Sequence, residues 1–491
     1  MNNIELKKHF HHFYKNTIGY NTTYNSPYGK QKIVYADWIA SGRLYNQIED
    51  KIKHEIGPFT ANTHTEASET GTRMTKAYQY AHKLIKQHVN AGPDDIIITA
   101  GSGMTTVVNK LQRILGLRTF GKLNKKECIS ENEKPVIFIT HMEHHSNQTS
   151  WYETNADVVI IEPDSDLLVN LNDLRKKLDI YKDRSYKIGS FTACSNVTGV
   201  HTPYHKLARI MHEHEGICFI DIAASAPYMD INMHPADPME KLDGIYFSPH
   251  KFLGGPGSSG VIIFDKKIYT LTVPDNPGGG TVDWTNPWGE YKYIDDIEVR
   301  EDGGTPGFLQ AMRIALSIEL KNQMGVPNIL QREKHQINCV LNGLRTIKGI
   351  NILADNIEDR IGAISFYHYD IHYNLFVKLL SDRFGIQVRG GCVCAGTYGH
   401  YLLNVNKDHS RRITEKISHG DLSDKPGWVR LSIHPTNSDE EVNFILSAIE
   451  EIVKNHKIWG RDYSYSPKSN EFHHQSFCSK IDEDIKKWFV F

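Results

Sequence analysis

The sequence predicts an α/β protein: a mostly parallel large-domain sheet covered by helices on both faces, followed by a smaller α+β unit. Three observations carry this expectation. Short β-branched runs alternate with amphipathic segments from about residue 95 to 266. A glycine turn joins the first of these strands directly to a helix. Gly and Pro then concentrate at 274–307, in "PDNPGGGTVDW" and "REDGGTPG", before long helical patterns begin.

In chain order, "DIIIT" (95–99) reads as a strand leading through "AGSGM" into the helix "TTVVNKLQRILGL" (105–117). "VIFIT" (136–140) and "DVVII" (157–161) are continuous apolar runs, as expected of buried strands. A helix at 170–181 and the strand "YKIGSFTA" (186–193) follow. "YHKLARIMHEHEG" (204–216) reads as a helix with Gly216 as its C-cap. It feeds the strands "ICFIDIAA" (217–224), "GIYFS" (244–248) and "GVIIFDK" (260–266). Beyond the Gly/Pro-rich stretch come helical patterns at 308–324 and 326–344, then strands "IGAISFYHY", "GIQVRG" and "WVRLSIHP". "SDEEVNFILSAIEEI" (438–452) closes the unit as a helix. A chain of 491 residues is too long for one simple core. The expected division is an N-terminal extension (1–30), a large domain (31–300), a small domain (301–456) and a C-terminal extension (457–491).

Composition narrows the function. A formal net charge of −2 gives no electrostatic sign of nucleic acid or anionic membrane as a partner. No apolar run approaches the roughly 18 residues needed to span a bilayer. The N-terminal stretch "MNNIELKKHFHHFYKN" lacks the apolar core of a secretory signal. Seven cysteines, from Cys128 to Cys478, do not suggest a disulfide framework; free thiols in a reducing cytoplasm are expected. The histidine clusters "HFHH" (9–12), "HMEHH" (141–145) and "HEHEG" (212–216) lack zinc-site spacing, so no metal is expected.

Several stretches could carry chemistry. "GPGSSG" (255–260) fits a dinucleotide fingerprint by letters, but its glycines precede a strand instead of opening a helix, so that reading fails. "GSGM" (101–104) with Thr105 is either a plain βα turn or an anion cradle of backbone N–H groups at a helix N-terminus. Asp221 stands at the carboxyl end of a buried strand, where open α/β sheets bind ligands and a carboxylate needs a cationic partner. Lys251, after His250 in "YFSPHKFLGG", is either a solvated loop residue or a sheltered amine able to form a Schiff base. Phosphate cradle, strand-end Asp and sheltered Lys together describe the needs of pyridoxal 5′-phosphate.

The stretches "YADWIASG", "GSGMTTVVN", "MEHHSN", "CSNVTGV", "FIDIAAS", "YFSPHKFLGGPGSSG", "EDGGTPG", "VRGGCVCAG" and "WVRLSIHPT" resemble, in order and spacing, those of class V aminotransferase-like enzymes. The resemblance runs from about residue 33 to 455 and is strongest to cysteine desulfurases and selenocysteine lyases. It implies the type I, aspartate-aminotransferase-like fold of pyridoxal phosphate enzymes and desulfuration of L-cysteine to L-alanine. By this resemblance Lys251 holds the cofactor and moves the substrate Cα proton, Asp221 pairs with the ring nitrogen, and His144 stacks on the ring. Asn196 stands near the phenolic oxygen, while Gly103, Met104, Thr105, Ser248 and His250 form the phosphate shell. Thr305 matches a residue that reaches the phosphate of the opposite subunit, which implies a homodimer. Arg430 matches the clamp for the substrate carboxylate, and Ala40 and His64 match residues lining the substrate pocket. A sulfur-acceptor protein is the partner this chemistry implies.

One position departs from the pattern: where desulfurases carry Gln three residues after the aspartate, this chain has Ala224. That leaves open an aminotransferase, selenocysteine lyase, β-lyase or epimerase, and a homologue without activity that acts as a binding protein. Two cysteines share the loop "RGGCVCAG" (389–396). By the resemblance Cys394 is the persulfide nucleophile and Cys392 a bystander or resolving thiol. Arg389 is a candidate to favour the thiolate, unless it pairs with an acidic neighbour.

Overall fold

The chain opens on helix α1 (Asn3–Asn16), whose Leu6, Phe10 and Phe13 are buried. They pack into a cluster with Trp38, Ile39 and Tyr45, so the N-terminal extension is anchored to the body of the protein. The computed structural model describes residues 3–118, 130 and 132–491; Cys128, counted among the free thiols above, lies outside the described residues.

Seven strands build the central sheet: β1 (Asp95–Ala100), β2 (Val136–Thr140), β3 (Asp157–Ile161), β4 (Lys187–Thr192), β5 (Ile217–Asp221), β6 (Gly244–Phe247) and β7 (Gly260–Asp265). Their spatial order is β1-β7-β6-β5-β4-β2-β3. β7 runs antiparallel to both its neighbours, and every other pairing is parallel. The interior strands β2, β4, β6 and β7 are buried along their whole length, because helices cover both faces. β3, at the edge, is only half-buried.

Between strands run α2 (Met104–Ile114) and α3 (Tyr204–Glu213). The expected Gly216 cap on α3 is corrected here. The cap is His214, and the left-handed residue that follows is Glu215, at φ 59°. Gly216 serves close packing instead, since a Cβ there would meet Met211 Cε at 2.6 Å.

The long helices α4 (Phe308–Met324) and α5 (Val326–Thr346) follow. A second sheet holds β8 (Ile350–Ile352), β9 (Ala363–His368), β10 (Arg389–Gly391) and β11 (Trp428–Ser432), in the order β8-β9-β11-β10. Helix α6 (Tyr373–Phe384) and helix α7 (Asp439–Trp459) pack with it around a separate apolar core. α7 starts at a capping box of Ser438 and Glu441 and runs through residue 456, where the sequence suggested a boundary. "GIQVRG" is not one strand. Ile386–Gln387 pairs in parallel with Val34–Tyr35, and only Arg389–Gly391 joins the second sheet. A bridge between Asp37 and Ser432 of β11 stitches the N-terminal segment to the second sheet. A hairpin of β12 (Tyr463–Ser466) and β13 (Glu471–His474) follows α7, and an exposed helix, Ile481–Lys487, comes after it. No helix among the described residues is long and apolar enough to cross a membrane.

Candidate active site

Strand ends β1, β4, β5 and β6 open onto one cavity of about 460 Å³, within the range of small-molecule sites. It is lined by Ala40, Gly103, Met104, Thr105, His144, Asn196, Asp221, Ser248, His250, Lys251, Cys394 and Arg430. Residues more than three hundred positions apart thus converge. Two sequence candidates lie elsewhere. His64 lines a different hollow with Tyr78 and Asp302, and Thr305 is exposed on a loop outside the cavity.

Lys251 ends a 3₁₀ turn, Pro249–Lys251, that leaves β6. The segment carrying Ala40 closes against this turn because residue 42 is glycine: a Cβ there would sit 1.9 Å from Phe252 O. Gly42 N donates to His250 O at 2.9 Å and fixes the approach. Burial pulls the Lys251 ammonium down to about 8, against the pull of Asp221. Asp221 is the last residue of β5 and 4% exposed. Burial pushes its carboxyl up to about 6, although Ala223 N donates to Oδ1 at 2.8 Å. A cation bound beside Asp221 would reverse that shift.

His144 Nδ1 accepts from Ser146 N at 3.1 Å, and burial near Lys251 holds the ring down at about 3. The imidazole is therefore neutral, with its proton on Nε2. Beneath it, Glu143 accepts from Thr140 Oγ1, Asn147 Nδ2 and Thr192 N at 2.7, 2.7 and 2.9 Å. Those bonds tie the ends of β2 and β4 together.

An anion cradle stands at the start of α2. Its N-cap, Gly103, supplies no side chain, and a Cβ there would approach Ser248 Oγ to 3.1 Å and His250 Cδ2 to 3.7 Å. Ser248 Oγ receives Met104 N at 2.9 Å, and Thr105 Oγ1 meets Ser146 Oγ at 2.6 Å. Hydroxyls, a glycine and a helix N-terminus thus share one corner, an arrangement suited to phosphate. Burial beside Lys251 lowers His250 to about 4, so it too is neutral.

Arg430, on β11, is 3% exposed. Nη1 donates to Asn196 O at 3.1 Å and Nη2 to Asp37 Oδ1 at 2.8 Å, while the buried Nε has no partner among the described residues. Asn196 Nδ2 donates to Val393 O at 2.8 Å, leaving its buried Oδ1 unpartnered. Both residues line the cavity, and each keeps a buried polar atom unsatisfied. Sequence reasoning missed Asp37, which bridges Arg430 and Arg389, the latter at 3.2 Å. The signal was present: a carboxylate inside the apolar run "VYADWIA" needs a cation, as was argued for Asp221. Arg389 is thus the partner of an acidic neighbour.

The loop after β10 presents the thiols differently. Cys394 is exposed at the cavity. Cys392 is partly buried, its thiol donating to Pro426 O at 2.8 Å, and burial pushes it above the ordinary thiol range. His145, also unforeseen, clamps the loop: its N donates to Cys394 O at 2.8 Å, and its Nε2 accepts from Gly396 N at 3.0 Å. Ala224 is buried beside Trp38 and Tyr228 in an apolar cluster and offers no hydrogen bond to the cavity. Among the described residues no cluster of three His, Cys, Asp or Glu side chains suits a metal ion.

A strand-end cavity with a half-buried lysine, a buried carboxylate and a helix-terminal anion cradle defines an α/β cofactor enzyme. The family model described as aminotransferase class V matches residues 34–445, and the chain belongs to that family. A probable cysteine desulfurase from Halalkalibacterium halodurans is 27% identical over 372 residues, covering 74% of this chain and 84% of that relative. One from Pyrococcus abyssi is 26% identical over 428 residues, covering 86% and 95%. Among solved structures, the apo cysteine desulfurase of Thermococcus onnurineus superposes with a TM-score of 0.72 at 22% identity, covering 90% of this chain and 98% of that one. A cysteine desulfurase from Escherichia coli gives 0.67 at 18% identity, covering 86% and 94%. The fold is the type I fold of pyridoxal phosphate enzymes.

Proposed function

We propose that the protein is a pyridoxal 5′-phosphate-dependent cysteine desulfurase that converts L-cysteine to L-alanine and carries the sulfur away as a persulfide on Cys394. The observation that carries this reading is the exposed Cys394 thiol in the same cavity as Lys251, Asp221 and Arg430. The residues present fit the cofactor: the cradle at Gly103, Met104, Thr105, Ser248 and His250 suits its phosphate, Asp221 its ring nitrogen and Lys251 its aldehyde. The unpartnered Oδ1 of Asn196 and Nε of Arg430 are polar atoms that cofactor or substrate would engage. When bound, pyridoxal phosphate supplies an electron sink that makes the substrate Cα proton removable.

The chain's own groups do the rest. Arg430 clamps the substrate carboxylate through its guanidinium fork, with Ala40 leaving room beside it. Lys251 moves the proton from Cα, as an amine whose lowered pKa leaves much of it neutral near pH 8. Neutral His144 exchanges a proton through Nε2 at the same face. The Cys394 thiolate attacks the substrate sulfur; a bond from Sγ to that sulfur forms, and the substrate Cβ–S bond breaks with its electrons staying on carbon. Protonation of that carbon completes alanine, and an acceptor protein or reductant removes the outer sulfur. The large sheet thus binds the cofactor, and the second sheet presents the thiol and Arg430. A homodimer in which Thr305 reaches the partner's cofactor phosphate, acting in a reducing cytoplasm, belongs to the same proposal; Thr305 and His64 both stand outside this protomer's own cavity.

Ala224 favours a second reading, a class V enzyme acting on another small amino acid, because the cavity lacks one hydrogen bond to the cofactor worth about 0.5–1.5 kcal/mol. Purified holoenzyme offered a panel of amino acids with a reductant separates the two. Alanine and sulfide in equal amounts from L-cysteine support desulfuration, whereas keto acid, selenide-only or epimerised products support the alternative.

A further inference from the structure

The loop bearing Cys394 carries backbone strain. Val393 and Cys394 lie at φ 41° and 60°, left-handed conformations that non-glycine residues rarely adopt. Such a pair persists only where its surroundings enforce it. His145 and Asn196 grip the loop from the large-sheet side, as described above. The opposite side is held from a distance by the C-terminal hairpin, which lies beyond the family match that ends at residue 445.

Asn470, at the turn between β12 and β13, is 6% exposed and itself left-handed at φ 57°. Its Nδ2 donates to Tyr373 Oη at 2.5 Å, and its carbonyl accepts from Asn374 Nδ2 at 2.5 Å. Tyr465 Oη donates to Asn470 Oδ1 at 2.8 Å and fixes the amide's orientation. Tyr373 passes the contact on, donating from Oη to Lys425 O at 3.2 Å. Its ring lies against the paired ends of β10 and β11: a Cβ on Gly427 would meet Tyr373 Cε1 at 2.7 Å and Gly391 Cα at 2.8 Å. The adjacent Pro426 carbonyl receives the Cys392 thiol at 2.8 Å, two residues before Cys394. Leu422 N donates to Pro467 O at 2.9 Å and fastens the same segment to the hairpin turn. The hairpin is in turn anchored: Tyr463 Oη donates to Asp382 Oδ2 at 3.0 Å and Tyr28 Oη to Asp462 Oδ2 at 2.7 Å.

We propose that Asn470 and Tyr373 are positioning residues that brace the Cys392–Ala395 loop, so that the C-terminal hairpin sets the presentation of the Cys394 thiol to the cavity. The role in sulfur transfer rests on the desulfurase reading; the role in setting thiol exposure does not. Neither residue lines the cavity, so the direct contacts to cofactor and substrate are made by other groups.

The test uses full-length holoenzyme with Asn470→Ala and, separately, Tyr373→Phe, which keeps the ring against Gly427 and removes only the relay. Three readouts are compared with wild type: cofactor absorbance with its response to L-cysteine, sulfide release, and the rate of Cys394 alkylation by iodoacetamide followed by mass spectrometry. The expected result is an opposed shift. Alkylation of Cys394 rises at least about threefold as the loop opens locally, while kcat falls by about tenfold or more, since misplacing a reacting group by about 1 Å costs on the order of a hundredfold. The L-cysteine response stays within about twofold, and Cys218, buried away from the cavity, stays unlabelled. Alkylation unchanged in both variants overturns the brace. So does labelling of Cys218 together with Cys394, which marks general unfolding. If wild type releases no sulfide, the desulfurase reading fails, and the alkylation rates still decide on the brace.

Discussion

One wall of the cavity, carrying Asp221 and Lys251, ends strands of a seven-stranded sheet; the opposite wall, carrying Cys394, is a loop with two consecutive left-handed non-glycine residues. The first wall is held by ladder hydrogen bonds and by helices on both faces, and its positions follow from the fold. The second is held by side chains reaching in from His145, Asn196, Cys392 and Tyr373. The difference matches the two tasks. A cofactor needs a fixed seat, whereas a thiol that takes sulfur and then gives it up needs access to a second partner. Substitutions on the sheet wall should therefore abolish all chemistry, and those on the loop wall should separate substrate binding from sulfur transfer.

Lys251→Ala carries the largest expected effect. Loss of its proton transfer alone is worth about 10²–10⁴ in rate, and loss of covalent attachment should also alter the cofactor absorbance of the purified protein. Cys394→Ser should cut sulfide release to a comparable degree yet keep the spectral response to L-cysteine, which would mark the separation of the two walls. Cys392→Ser should stay within about fivefold of wild type, because one hydrogen bond to a carbonyl is worth about 1 kcal/mol. Arg430→Lys tests the clamp. A point charge replaces a planar fork, and KM for L-cysteine should rise by about ten- to a hundredfold, in line with charged hydrogen bonds of about 1.5–3 kcal/mol.

A pH dependence belongs to the sheet wall alone. Lys251 attacks an aldehyde only as the neutral amine, and burial lowers its pKa to about 8. Below that value the ammonium form predominates, so loading of apoenzyme with pyridoxal phosphate should slow by about tenfold per pH unit. Above it the rate should level off. Stopped-flow absorbance between pH 6 and about 9.5 checks this. A rate still climbing at the top of that range would place the lysine in solvent.

The same contrast explains how much was legible in the sequence. Strands such as "VIFIT" and "DVVII" announce themselves by continuous apolar runs, and both occupy the expected residues. Asp221 and Lys251 could be found because a charged group at the end of such a run has few explanations. Asp37 obeys the same logic but stands in a segment whose strand pairing, Val34–Tyr35 with Ile386–Gln387, joins residues far apart in sequence. Short parallel pairings of that kind leave no periodicity to read. The loop wall was harder still. His145 is an ordinary polar residue until the fold brings it to Cys394, Tyr373 and Asn470 reach that loop only through Lys425 and each other, and nothing local distinguishes "KSN" at 468–470 from any other turn. The two thiols illustrate the limit well: spacing alone left both open, and burial of Cys392 against Pro426 O separates them.

The central claim is that this cavity passes sulfur from L-cysteine to Cys394. Its most direct test is a single-turnover reaction of holoenzyme with ³⁴S-labelled L-cysteine, without reductant, followed by peptide mass spectrometry across residues 389–412. The account predicts one ³⁴S atom added at Cys394 and one alanine formed per active site. Label on Cys392 with Cys394 unmodified, or alanine formed with neither thiol labelled, would contradict it.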